Sequence, residues 1–433
     1  MVFSANVCLF LYAGSVNATR KTPISIGTST MSSSAVVPIS TPPSSPLPSN
    51  ATMTTTAPLF KTKPMVLCQL VSPSYFRTGT LRNAVEAQEV PSSTLCDYIL
   101  LDLPLAANGS FEFESYRFLT HARTRHRLLF HVDIDLNGVG GGLVLVSSSQ
   151  FVDSVRNLQN SLSSSKLHGL GVLKGYPTLL SQLGRRSAIP YLGAIYEEFS
   201  KILRGTGVEQ DKIKNFLAFN PGLITQYIYR EQLQELNGIT HLNFAIILTI
   251  TNERVNEVYP SSAWDNRCLP QTNESTMVDV VSTITSIRRP MYEFALAFSL
   301  RLDHFAGVSL AKVQGDPLQK VPCRFHNATW FSDVCESQLF GRGPSGASIY
   351  YIGGSGCAFA EGNDTADTVV SFETPRTIRH KMVETYRKIG YDLTDQYVIN
   401  WVVYNMTYGL APDVCNGAHN RILEIRNVID ENK

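Results

Sequence analysis

The chain has 433 residues, with 37 Lys and Arg against 36 Asp and Glu, and 43% of its residues are hydrophobic. This near-neutral balance excludes a strongly basic protein that wraps nucleic acid or coats an anionic membrane, so we expect no nucleic-acid partner. At typical domain sizes of about 100–200 residues, the length allows two or three domains or one large α/β barrel with an insertion.

The N-terminal part differs in composition from the rest of the chain. Residues 1–18 contain a short apolar run followed by small residues, which predicts a signal peptide; a truncated membrane anchor is the alternative. Residues 19–64 are rich in Ser, Thr and Pro, which make up 24 of the 37 residues between 22 and 58. Such a segment cannot bury enough apolar surface to offset its ordering entropy, so we predict a disordered stalk. No later segment has the pattern of a membrane span.

Sequons and dispersed cysteines indicate an oxidising compartment. No two cysteines form a CxxC pair or have zinc-type spacing with histidine, so we predict disulfides, and neither a metal site nor a cofactor. Asn-x-Ser/Thr sequons occur at Asn17, Asn50, Asn108, Asn273, Asn327, Asn363 and Asn405. With the N-terminal segment, these features predict a secreted, extracellular glycoprotein.

From residue 65 onward, short apolar runs alternate with segments of helical spacing. The apolar runs are 65–71, 98–104, 127–133, 169–174, 215–219, 240–249, 293–299 and 397–404. The segments with helical spacing are 150–162, 189–203, 277–287, 377–388 and 420–429. This alternation predicts the α/β class, with a (β/α)₈ TIM barrel over residues 65–433 and a small α+β insertion at about 303–372, between strands seven and eight.

Two segments at the start of this region read MVLCQLVSPSYFRTG (65–79) and PSSTLCDYILLDLPL (91–105). They resemble the first two strands of glycoside hydrolase family 18, the chitinases and chitinase-like lectins. Segments 375–392 and 396–415 resemble the family's last helix and strand eight, and 328–339 resembles a helix of its insertion domain. The resemblance implies the disulfides Cys68–Cys96 and Cys335–Cys415, and it places Trp401 at the position of a sugar-stacking tryptophan.

The family's catalytic signature on strand four is D-G-x-D-x-D-x-E-Y-P, and the matching segment here is HGLGVLKGYP (168–177). In the family, the Glu protonates the glycosidic oxygen and the Asp two residues earlier steadies the substrate acetamide. In this chain the catalytic positions of strands four and six are held by His168, Gly171, Leu173, Gly175, Ile250 and Thr251. The resemblance therefore implies a pseudoenzyme, because proton transfer alone typically contributes about 10²–10⁴-fold to the rate.

Asp133 and Asp135 are the carboxylates that could replace the lost ones. They alternate at the end of the third predicted strand, where the catalytic side chains of such barrels lie. The same segment matches the first half of a calcium loop, but Val144 stands where that loop needs a bidentate Glu. We favour a polar rim of the barrel mouth, available for glycan contacts, over an acid/base pair or a weak calcium site.

Three further features are ambiguous. The glycine run 138–142 lacks the last glycine of a dinucleotide fingerprint, and residues 143–146 are predicted as strand or loop, so we favour a flexible loop. The basic run 121–127 is compatible with binding of a sulfated glycan, but such a run more often forms a solvated turn. His168 is a candidate pH sensor, although a histidine with satisfied hydrogen bonds is the simpler interpretation.

These observations lead to one main hypothesis and two alternatives. The chain is expected to be a secreted, catalytically inactive chitinase-like protein that binds chitin, another amino-sugar glycan or a protein partner. Trp401 is either its stacking platform or a core residue. The alternatives are an active glycosidase that uses Asp133 and Asp135, and a secreted scaffold with no sugar ligand.

Overall fold

The structure is a computed structural model, and it describes residues 63–71, 91–102, 125–132, 134, 141–162, 165–175, 188–219, 226–250, 258, 276–315, 321–323, 325–329, 349–352, 356–361, 368–390, 397–404 and 417–432. The predicted signal peptide and the predicted stalk up to residue 62 lie outside these ranges. Lys63 forms an ion pair of 3.2 Å with Asp430, so the described part begins with a residue that contacts the C-terminal helix.

Eight parallel strands close into a barrel, which confirms the predicted fold class. They are β1 (Val66–Val71), β2 (Tyr98–Asp102), β3 (Arg127–His131), β4 (Lys166–Gly175), β5 (Phe216–Phe219), β6 (Phe244–Ile247), β7 (Glu293–Ser299) and β13 (Ile399–Tyr404). Each of them overlaps one predicted strand. The first strand pairs with the last, so that the barrel has no open edge.

Helices follow most of these strands and cover the outside of the barrel. The described helices are α1 (Gly141–Val146), α2 (Ser149–Ser161), α3 (Ala188–Gly205), α4 (Gln226–Glu235), α5 (Met277–Ile284), α6 (Leu310–Gly315), α7 (Pro375–Ile389) and α8 (Gly417–Glu431). The prediction of a strand or loop at residues 143–146 is wrong, since α1 covers them. A short apolar run does not distinguish strand from helix, and α1 buries Val146 while Val144 stays exposed. No helix among the described residues is long and apolar enough to cross a membrane.

Between β7 and β13 the chain forms a small antiparallel sheet with α6, in agreement with the predicted insertion. Its strands are β8 (Leu302–Ala306), β9 (Phe325–Thr329), β10 (Tyr350–Ile352), β11 (Cys357–Glu361) and β12 (Thr368–Phe372), in the order β10-β11-β12-β8-β9. The insertion has its own apolar cluster, in which Phe305, Phe359 and Val369 pack with Val258 from the segment after β6.

Two layers of side chains build the core of the barrel. We call the inner one the lumen cluster: Leu67, Tyr98, Leu100, Leu129, Leu173, Phe216, Ala218, Phe244, Ile246, Ala295, Ala297 and Val402. The outer layer packs between the strands and the helices and includes Trp401, Met382 and Tyr386. Since successive side chains of a strand point to opposite faces, neighbours such as Trp401 and Val402 belong to different layers.

A disulfide and an asparagine hold the seam of the barrel near β1. Cys68 on β1 is bonded to Cys96 just before β2, which confirms that pairing. The side chain of Asn400 accepts a hydrogen bond from the backbone N–H of Met65 and donates one to Glu293, at 2.8 and 2.9 Å. Cys335 and Cys415 lie outside the described residues, so their pairing stays a prediction.

The backbone of β4 lies so close to β5 and the residues just before it that only glycine fits at two positions of β4. A Cβ on Gly169 would lie 2.0 Å from the carbonyl oxygen of Lys214, and one on Gly171 would lie 2.0 Å from the carbonyl oxygen of Phe216. Both obstacles are backbone atoms, which cannot move aside as a flexible side chain can. These positions therefore exclude any side chain in the present backbone.

We predict that Gly171→Ala lowers the free energy of unfolding by roughly 2–3 kcal/mol, because the methyl group must push β4 away from β5. Gly205→Ala at the end of α3 is the matched control, since its Cβ would have no neighbour within 4 Å. That variant should stay within about 0.5 kcal/mol of the original chain. Equilibrium denaturation by urea measures both values, and equal values would contradict the close approach.

Candidate functional site

The strand-four positions of the catalytic signature lie on β4 and carry no carboxylate. Leu173 stands in the lumen cluster and is 0% exposed. Gly171 cannot carry a side chain, for the reason given above. Gly175 is the last residue of β4, where its backbone pairs with Phe219. At the level of Leu173 the described lumen is therefore occupied by an aliphatic side chain.

The backbone of β4 is tied to the end of β3 by a histidine. The N–H of Leu173 donates a hydrogen bond of 3.0 Å to Nδ1 of His131, and both residues are buried. Because Nδ1 accepts this bond, its lone pair is occupied and the ring is held in the tautomer with the proton on Nε2. No motif in the sequence singled out His131; its place directly after an apolar run, at the C-terminal end of a barrel strand, is the only signal that it carries.

The strand-six segment also lacks catalytic groups in the described part. Thr249 donates a hydrogen bond to the carbonyl oxygen of Ala297 and accepts one from its N–H, at 2.7 and 3.1 Å, so its hydroxyl is engaged by the backbone of β7. Leu248 and Ile250 pack against the lumen cluster. Thr251 lies outside the described residues.

Trp401 does not form a sugar-stacking platform. It is 0% exposed, its indole N–H donates a hydrogen bond of 2.9 Å to the hydroxyl of Tyr386, and its ring stacks on Phe298 at 5.0 Å between centroids. The expectation of a glycan-binding role is wrong because Trp401 faces α7 while Val402 faces the lumen. The core alternative is the correct one.

His168 lies far along β4 from the mouth, near the strand's N-terminal end. Its Nδ1 is 2.9 Å from the carbonyl oxygen of Lys166, and its ring is 6.2 Å from that of Tyr98. Burial lowers the pKa of His168, which keeps the ring neutral at pH 7. His168 and Leu173 therefore lie near opposite ends of β4, so they do not belong to one site.

Several predicted site residues fall where the structure gives no description. Asp133 and Asp135 lie outside the described residues, between and beside the buried Val132 and Ile134. Of the sequons, Asn327 falls on β9, and Asn17, Asn50, Asn108, Asn273, Asn363 and Asn405 lie outside the described part. In the described ranges, no three His, Cys, Asp or Glu residues come together as a metal site would require.

Comparison with known proteins gives matches in structure alone. No family model matches the chain, and no curated protein matches it in sequence. Among solved structures, a mutant of catalytic domain 2 of the Ostrinia furnacalis group II chitinase in complex with (NAG)5 has a TM-score of 0.56 at 15% identity, covering 86% of this chain and 97% of that one.

Two plant proteins show the same likeness. A family GH18 chitinase from Cycas revoluta in complex with allosamidin has a TM-score of 0.54 at 11% identity, covering 85% of this chain and 99% of that one. A chitinase-like agglutinin from Robinia pseudoacacia has a TM-score of 0.53 at 10% identity, covering 83% and 98%. The chain therefore has the fold of the family 18 chitinases and chitinase-like proteins.

Proposed function

We propose that this chain is a secreted, catalytically inactive chitinase-like protein that binds its ligand without hydrolysing it. The observation that carries the proposal is the filled strand-four level, where Leu173 and two glycines occupy the positions of the family's acids. Glycoside hydrolysis needs a group that protonates the leaving oxygen, and neither an aliphatic side chain nor a glycine supplies one.

An amino-sugar glycan, chitin or a chito-oligosaccharide, is the ligand that we propose first. Its support is the fold shared with a chitinase mutant in complex with (NAG)5 and with a chitinase-like agglutinin. Asp133 and Asp135 are the proposed polar contacts, since they follow β3 at the C-terminal end of the barrel, where barrel proteins bind their ligands. Carboxylates there can accept hydrogen bonds from sugar hydroxyl and acetamide groups.

A protein partner is the second candidate. It is favoured by the burial of Trp401, which removes the one aromatic platform that the family resemblance implied. Aromatic contacts contribute about 0.5–1.5 kcal/mol each beyond their buried area, so a mouth without them holds a sugar chain less tightly. The α+β insertion would be the first surface to test.

Secretion and glycosylation rest on the sequence and on one structural feature. The bond between Cys68 and Cys96 is the kind of link that persists in oxidising compartments. Expression in a secreting eukaryotic cell, followed by mass analysis of the exported chain, tests this part. A chain that keeps Met1 and carries no glycan would contradict it.

The main test is calorimetric titration of the full chain with chitohexaose, with mass spectrometry of the same sample. We expect micromolar binding and intact chitohexaose after the titration. Trp401→Phe keeps a buried ring and should change the affinity less than twofold, whereas Asp133→Asn with Asp135→Asn should weaken binding about tenfold, by loss of two charge-assisted hydrogen bonds. Absence of heat would overturn the glycan as ligand in favour of a protein partner.

A separate assay addresses the alternative in which Asp133 and Asp135 form a relocated acid/base pair. Incubation of the full chain with chito-oligosaccharides, and separately with aryl glycosides of other sugars, should release no product above the uncatalysed rate. If product appears and the double Asp→Asn variant abolishes it, the inactive assignment is wrong. Product that persists in the variant would point to a contaminating enzyme.

A further inference from the structure

Basic side chains collect at the N-terminal ends of several barrel strands, opposite the mouth. They lie at the start of β3, β4, β5 and β7 or in the few residues before it, and all of them are exposed or partly exposed. We call this surface the basic rim: Arg125, Arg127, Lys166, His168, Lys212, Lys214, Arg288 and Arg289. The whole chain has a formal charge of only +1, so the rim is a local concentration of positive charge.

Two members of the rim are held side by side despite their like charges. Arg127 and Lys166 are register partners on the adjacent strands β3 and β4, a separation of about 4.8 Å between strands. Both are exposed, and no ion pair joins either of them to an acid among the described residues. Like charges directly opposite each other destabilise a sheet, and an anion bound between them would relieve the repulsion.

The neighbouring groups extend the positive potential to the next strand. The backbone N–H of Lys214 donates a hydrogen bond of 2.8 Å to the carbonyl oxygen of His168, so β5 continues the rim directly. Burial lowers the pKa of His168, and the charges of Arg127, Lys166 and Lys212 act in the same direction. Three cations therefore surround this ring closely enough to oppose its protonation.

Acidic residues neutralise only part of the positive charge of the basic rim. Glu209 pairs with Lys212 at 2.7 Å, and Glu293 lies 3.8 Å from Lys214. Within the described ranges, no acid forms an ion pair with Arg288 or Arg289. The uncompensated charge therefore lies at the β3–β4 edge and at the turn before β7.

Two shallow pockets lie along the same end of the barrel. One has a volume of about 240 Å³ and is lined by Lys214, Asn243 and Met291 among others. The second has a volume of about 610 Å³ and is lined by Arg288 and Arg289 among others. They share Tyr397, so they adjoin, and the smaller one is also lined by the carboxylate Glu293. The pockets thus extend from Lys214 to the turn before β7.

We propose that the basic rim is a second binding site, for a sulfated polysaccharide. Repeated sulfate groups match cations spread over several strand ends, and guanidinium groups bind oxyanions through paired N–H donors. This inference concerns the end of the barrel opposite the mouth and does not rest on chitin binding there.

Buried rings distinguish this ligand from a nucleic acid. Single-stranded nucleic acid is bound by exposed aromatic side chains on which bases stack. Among the described residues, the aromatic rings of Tyr98 and Phe244 contact the rim cations Arg127 and Lys214, and these rings are 4% and 0% exposed. A sulfated glycan needs no stacking surface, so charge alone can hold it.

The test measures binding of the full chain to heparin, with desulfated heparin and a single-stranded DNA as competing probes. The variant is Arg127→Gln with Lys166→Gln. Its matched control is Arg156→Gln with Arg387→Gln, which removes the same charge from side chains that are 52% and 67% exposed on the helical surface. We expect the rim variant to bind heparin about tenfold more weakly, from two lost charge contacts, and the control to change less than twofold.

Three further measurements test the proposal: the salt dependence of heparin binding, the melting temperature of the rim variant and the affinities for the other probes. Binding should weaken as NaCl rises from 0.15 to 0.5 M, because the contacts are exposed charges. The melting temperature of the rim variant should change little, since the lost repulsion between Arg127 and Lys166 offsets the lost contact of Arg127 with the Tyr98 ring. Equal losses in the two double variants, equal affinity for desulfated heparin, or tighter binding of the DNA would each overturn the proposal. Heparin binding without chitohexaose binding would leave the rim intact and refute only the mouth as a glycan site.

Discussion

Leu173 lies inside the barrel near the C-terminal end of β4, with its backbone N–H bonded to Nδ1 of His131 and its side chain packed in the lumen cluster. Burial of a leucine contributes about 1.5–3 kcal/mol to stability, and a carboxylate at the same place would have to be desolvated at far greater cost. The packing that stabilises the barrel therefore favours an apolar side chain at this position, which is the observation behind our proposal of an inactive protein. The proposal that the chain binds a ligand without hydrolysing it rests on this constraint.

The glycines of β4 strengthen that constraint. A Cβ on Gly171 would collide with the carbonyl oxygen of Phe216, so the acid that the signature has at this position cannot be restored by a single substitution in the present backbone. At Gly171 the backbone spacing, and not only the residue type, therefore excludes a carboxylate. In our two proposals, the mouth binds a glycan or a protein, and the opposite end offers exposed positive charge to a sulfated polysaccharide.

The sequence predicted the barrel well because each strand is a short apolar run between turn residues, and the eight runs fall in the order that parallel pairing requires. It predicted the insertion because the spacing between strands seven and eight is too long for one helix. The Cys68–Cys96 bridge followed from the family resemblance. The helix α4 was missed because its segment QYIYREQLQE has a weak apolar face.

The site was less predictable, for a physical reason that Trp401 illustrates. β13 reads INWVVY, with apolar side chains on both faces, so strand periodicity does not say which residue faces the lumen. Only the register with β1 and β7 fixes Val402 inward and Trp401 against Tyr386. The basic rim was predictable only in part: Arg125 and Arg127 lie in the basic run 121–127, whereas the other members are far apart in sequence and only the closed barrel brings these strand starts together.

The central claim is that the lumen at strand four is filled and dry, and amide hydrogen exchange at Leu173 tests it most directly. The account predicts that this amide exchanges only when the whole barrel unfolds, as slowly as the amide of the buried Leu217 on β5. Exchange of Leu173 within seconds at neutral pH, while Leu217 stays protected, would show a hydrated cleft at this level and contradict the account.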